Sequence, residues 1–226
     1  MRFGKQMNQR AQSSQDPLSA IKPYLTWVLL TVNIGLFFVL STPEFPRVVF
    51  EQMMLWPTRE EFRWWQPITH CFMHSGMSHL AFNMIALWQF GSELERFIGT
   101  KRFARLYFSA VACAAILQIL TSQFTGSFGP MLGASGGVFG LLYGYAACFP
   151  NARIVPLIPP IPMPAWLAVS LYGAAELYFG FSGNLSTIAH FAHLGGIVGG
   201  FFALPWPWRR EDFVKIAAER GLRYRD

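Results

Sequence analysis

Ser135 lies in Gly133-Ala134-Ser135-Gly136-Gly137-Val138-Phe139-Gly140, a glycine-dense stretch opening an apolar run. A serine hydroxyl is a weak nucleophile until a base takes its proton, and a neutral imidazole within hydrogen-bond reach is the usual base. His193, in Ala192-His193-Leu194-Gly195-Gly196, is the candidate for that role. His79 and Asn83 stand four residues apart, so on a helix they share one face. An imidazole, a side-chain amide and backbone N–H groups are the donors that stabilise a tetrahedral oxyanion. The chemistry these types can do together is acyl transfer through a serine.

On the residues alone, plainer roles stay open. Ser135 could cap a helix while Gly136, Gly140 and Gly144 form a packing stripe. His190 or His193 could be a buried imidazole satisfied by a carbonyl. A metal site at His70, His74 and His79 lacks a His-Glu-x-x-His helix, and no acidic residue precedes Glu93 in that run, so no metal is expected. Glu176, near the outer end of its run, is expected at the interface or as a cap. The expectation is therefore a Ser–His dyad with no acidic third member, and His190 is given no catalytic role.

The segments that must position these residues are hydrophobic. Of 226 residues 53% are hydrophobic and only 13% charged, about half the charge of an average soluble domain. The polar residues are too few to cover a globule of this size, so lipid must cover much of the surface. A net charge of +6 does not indicate nucleic acid, because the basic residues sit between apolar runs and not on one polar face. Cys71, Cys113 and Cys148 are odd in number, show no paired spacing and read as small buried hydrophobes.

Six runs approach the ~20 apolar residues that span a bilayer: Tyr24 to Leu40, Pro67 to Phe90, Phe103 to Leu120, Ser135 to Phe149, Trp166 to Phe181 and Leu185 to Pro205. All but three of the 18 basic residues (Arg47, Arg59 and Arg63) then fall on one side, which makes both termini cytoplasmic. The segment from Pro43 to Gln66, rich in Phe, Met and Trp, reads as amphipathic and interfacial. In the last run Gly196 and Gly200 repeat the small-residue spacing of the fourth, so the two are expected to dock and bring His193 toward Ser135. Water would reach Ser135 through a cavity lined by His70, His74 and His79 with the glycine-rich loop.

His79-Leu80-Ala81-Phe82-Asn83, Gly133-Ala134-Ser135-Gly136 and Ala192-His193-Leu194-Gly195-Gly196, in this order on the second, fourth and sixth runs, resemble the rhomboid intramembrane serine proteases. The resemblance covers about Tyr24 to Trp208. It implies an all-α membrane protein: a six-helix bundle with a membrane-embedded first loop and a short fourth helix starting at the nucleophile. The expected organisation is an N-terminal arm over 1–22, the membrane domain over 23–208 and a basic tail over 209–226. By the same resemblance Ser135 is the nucleophile and His193 its base, with Asn83, His79 and the Ser135 N–H as the oxyanion hole. Gly133, Gly136, Phe139 and Gly196 support them. Substrates would be transmembrane segments of other proteins, cleaved within the bilayer without a cofactor and without nucleic acid. A non-proteolytic relative that binds transmembrane helices is the alternative, although such relatives lack the serine or the histidine. Glu95-Arg96-Phe97-Ile98-Gly99 fits the family's acidic-to-glycine turn, a structural cap. The departures are Gln66, where the family often has Arg after Trp; Phe139, where some members have Tyr; and the extra His190. The absence of an Arg-rich transit segment favours a bacterial inner membrane.

Overall fold

The computed structural model describes residues 21–58, 60–126, 128–156, 160–182, 189–204 and 210–219. The expected N-terminal arm lies outside these up to residue 20, as do residues 183–188, which include the start of the sixth run, and residue 209 and residues 220–226 of the tail. Helix α1 spans Tyr24–Leu40, matching the first run, and a short helix α2 spans Arg47–Met53.

The second run departs from expectation. Helix α3 covers only Gln66–Thr69, a tight turn follows over His70–Phe72, and the chain is non-helical from Met73 to Gly76. The helix then restarts as α4, Met77–Ala86, and passes through a wide turn at Leu87–Gly91 into α5, Ser92–Ile98. The rod thus runs from Met77 to Ile98 and not from Pro67 to Phe90. Its charged end is accommodated by partners: Tyr145 Oη donates to Glu93 Oε2 at 2.8 Å, and Arg96 Nε donates to the Ile21 carbonyl.

Glu95, 1% exposed, binds the start of α1. Its carboxylate accepts from the Leu25 and Thr26 backbone N–H groups and from the Thr26 and Thr100 hydroxyls, at 2.7 to 2.9 Å. The two N–H groups are orphan donors at the N-terminus of α1, where a negative charge also opposes the helix dipole favourably.

Helix α6, Thr100–Thr125, is the one described helix both long and apolar enough to cross a membrane by itself. It is followed by α7, Ser135–Cys148; a two-residue ribbon pairing β1, Arg153–Ile154, with β2, Met163–Pro164; α8, Ala165–Ser182; α9, His190–Ala203; and α10, Arg210–Glu219. Ala110 and Ala114 of α6 are fully buried against α7, which crosses α6 and α9 at the centre of the bundle. Outward faces carry large exposed apolar side chains such as Trp27, Phe82, Ile116, Phe181 and Phe202. The expected tail is partly structured: Ile216 of α10 is buried in the main core, and Arg102 pairs with Glu219 at 3.1 Å.

Candidate active site

Ser135 is the first residue of α7, after Ala134. Its own N–H is one of the unpaired donors of a helix N-terminus. The loop before it is held at three points. Leu55 and Met131 exchange two backbone hydrogen bonds of 2.9 and 2.8 Å, and the Gly133 N–H donates to the His70 carbonyl. Gly133 itself has φ +122, where a side chain is strained. A Cβ there would also stand 2.7 Å from His79 Nε2 and 3.7 Å from Ser135 Oγ, so His79 and Ser135 flank this glycine closely.

The Ser135 side chain does not cap its helix. Its Oγ lies 2.8 Å from His193 Nε2, across 58 residues of sequence. Two features set this distance. Gly196 of α9 packs directly on the Gly136 carbonyl, and Gly140 and Gly200 continue the same close seam; small residues let the backbones approach to this range. Phe139, one turn after Ser135, stacks on the His193 ring with centroids 4.4 Å apart and planes 10° apart.

His79 and Asn83 lie on α4, as their spacing suggested. Ser75 Oγ is 3.1 Å from His79 Nδ1, and the Asn83 amide donates to the His79 carbonyl at 2.9 Å. Both residues line a cavity of about 640 Å³ that also contains Ser135, His193 and Phe139, with mainly apolar walls including Phe82, Met131 and Tyr172.

Two expectations need correction. His70 and His74 are buried, 1% and 4% exposed, and do not line this cavity. Through its ring His70 contacts the Gln66 carbonyl at 2.8 Å, and its own carbonyl holds Gly133; His74 packs edge-on against His79. His70 belongs to the turn and His74 to the break at Met73–Gly76 that diverts the chain away from a continuous helix. Gln66, in place of an arginine, needs no ion pair: it is fully buried, accepts from the Trp56 N–H and donates to the Gln52 and Glu61 carbonyls, binding the first loop to α3.

The second correction is Glu176. It does not serve as a cap: its carboxylate lies between two histidines, Oε2 at 2.6 Å from His190 Nδ1 and Oε1 at 3.0 Å from His193 Nδ1. The second contact is off the line of a hydrogen bond. The sequence held the signal, a carboxylate inside an apolar run together with a second histidine three residues before the base.

A family model for the Rhomboid domain matches residues 61–209. Among curated proteins, the chain is 30% identical over 190 residues to Rhomboid protease GluP of Bacillus subtilis, covering 80% of this chain and 34% of that protein. It is 30% identical over 200 residues to Rhomboid protein 1, mitochondrial, of Saccharomyces cerevisiae, covering 88% and 56%. Against the mouse Presenilin-associated rhomboid-like protein, mitochondrial, it is 29% identical over 154 residues, covering 64% and 40%. The chain spans between a third and somewhat over half the length of these relatives.

Proposed function

This chain belongs to the rhomboid family of integral membrane proteins, and from that premise we propose that it is a serine endopeptidase cleaving transmembrane segments of other membrane proteins. The observation that carries the reading is the 2.8 Å approach of Ser135 Oγ to His193 Nε2, the distance at which an imidazole can take a hydroxyl proton. In this mechanism the Ser135 oxygen attacks the scissile carbonyl as its proton passes to His193. The oxyanion is held by the Ser135 N–H at the start of α7, by Asn83 and by His79. His193 then protonates the departing amine, and water, activated by the same imidazole, releases the acyl group.

The proposed setting follows from helix length. The six-span reading assigns α1, the rod from Met77 to Ile98, α6, α7, α8 and α9 to the bilayer. With 14 residues, α7 is about 21 Å long, shorter than the ~30 Å hydrocarbon core, so one of its ends can lie inside the bilayer. In this account that end is the N-terminus, and Ser135 works there, reached by water from the outer side. A substrate helix must unwind locally to expose its carbonyl, since a hydrogen-bonded helix leaves none free. The first loop, with α2 and the exposed Trp64, lies in the outer leaflet in this account. Both termini face the cytoplasm of a bacterium, the side to which the basic residues are biased.

The test is cleavage of a reconstituted single-span substrate by purified protein in liposomes. Wild type should release a fragment, and Ser135→Ala and His193→Ala should not. Full cleavage by the Ser135→Ala protein would end the proposal, whereas helix binding without any cleavage by wild type would favour the non-proteolytic alternative.

A further inference from the structure

Glu176 brings a carboxylate into the contact between α8 and α9. Along the rest of α8 only Ala165 and Ala168 are buried, while Leu171, Leu177, Tyr178 and Phe181 face outward. A mostly apolar helix thus turns one ionisable side chain, 16% exposed, toward two imidazoles that are 7% and 12% exposed. Such a group at this depth needs a partner or a task.

The geometry supplies a task. His193 can accept a proton from Ser135 only when its ring proton sits on Nδ1 and its lone pair on Nε2. A carboxylate against Nδ1 selects that tautomer and faces the positive charge that appears once Nε2 has taken the proton. His190, on the same face of α9 one turn earlier, occupies the other carboxylate oxygen and keeps Glu176 from turning away. The misaligned Nδ1 contact is what a resting site often shows before substrate tightens it.

Resting on the proteolytic reading above, we propose that Glu176 is a positioning residue for the base, so that Ser135, His193 and Glu176 act as a triad steadied by His190. The Ser135 proton moves to Nε2 as the bond from Oγ to the carbonyl carbon forms. It moves on to the leaving nitrogen as the peptide C–N bond breaks. Glu176 remains a carboxylate throughout.

The experiment compares full-length wild type, Glu176→Gln, Glu176→Asp and His190→Gln. It reads kcat and KM on a reconstituted substrate, the rate of fluorophosphonate labelling at Ser135, and the melting temperature. Glu176→Gln should lower kcat and the labelling rate together by about tenfold or more, in the direction of the ~10⁴-fold loss that follows removal of a triad acid, with KM and melting unchanged. Glu176→Asp should recover part of the loss, and His190→Gln should show a smaller loss of the same kind. The proposal is overturned if Glu176→Gln keeps wild-type kcat and labelling, or if its activity falls only in step with its melting temperature. A wild-type chain inert to both substrate and probe overturns the proteolytic reading, and this inference with it.

Discussion

Gly196 rests on the carbonyl of Gly136 so closely that a Cβ on α9 at this point would collide with the backbone of α7. The contact lies next to Ser135 in sequence and one turn after His193, and therefore sets the distance between them. Replacing Gly196 with Val should separate the two helices by about an ångström and reduce activity by about a hundredfold or more, the scale expected for such a misplacement. Initial rates of substrate cleavage check this; near-normal turnover would mean that the seam does not control the site.

Gly133 carries two constraints, a positive φ and the His79 ring 2.7 Å from where a Cβ would stand. Gly133→Ala should cost about 1–3 kcal/mol of local strain and push His79 or the Ser135 loop out of place. Activity should be lost while the protein still inserts and melts cooperatively. Measuring cleavage and melting on the same preparation distinguishes a displaced site from an unfolded one.

Much of the bundle could be read from hydropathy, and the reasons for the exceptions are physical. The limits of α1 and α7 follow the apolar runs because nothing interrupts them. Hydropathy misplaces both ends of the rod containing His79. Its start follows a non-helical passage, Met73-His74-Ser75-Gly76, too short to interrupt the apolar run around it, and its end carries Glu93, Glu95 and Arg96, which hydropathy reads as a boundary. Partners on other segments, Tyr145 and the start of α1, make those charges acceptable inside the fold. Glu176 was underestimated for the same reason, since its two histidines lie on a different helix. Ser135, His193, His79 and Asn83 stood out as polar groups in apolar sequence. Their distances are set by tertiary packing and could not be read there.

Glu95 is a structural residue far from the chemistry, and its loss should show as stability. Glu95→Ala strands two backbone N–H groups and two hydroxyls at the junction of α1, α5 and α6, at a cost of about 3 kcal/mol. Thermal melting in detergent should fall clearly, while the fraction that stays folded keeps its kcat. An unchanged melting temperature would contradict the capping role.

Phe139 holds the His193 ring by stacking alone, having no hydroxyl to donate. Phe139→Ala should remove an interaction worth about 0.5–1.5 kcal/mol and slow turnover by up to about tenfold, with little change in KM. A steady-state comparison of the two proteins checks it; a loss confined to KM would place Phe139 in substrate binding instead.

The central claim is that His193 activates Ser135 for attack on a carbonyl, and covalent labelling tests it most directly. Purified wild type treated with a fluorophosphonate, then digested and analysed by mass spectrometry, should carry one adduct, on Ser135. The adduct should be absent from Ser135→Ala and strongly slowed in His193→Ala. A folded wild-type protein that takes no label, or one labelled equally well without the His193 imidazole, would contradict the account.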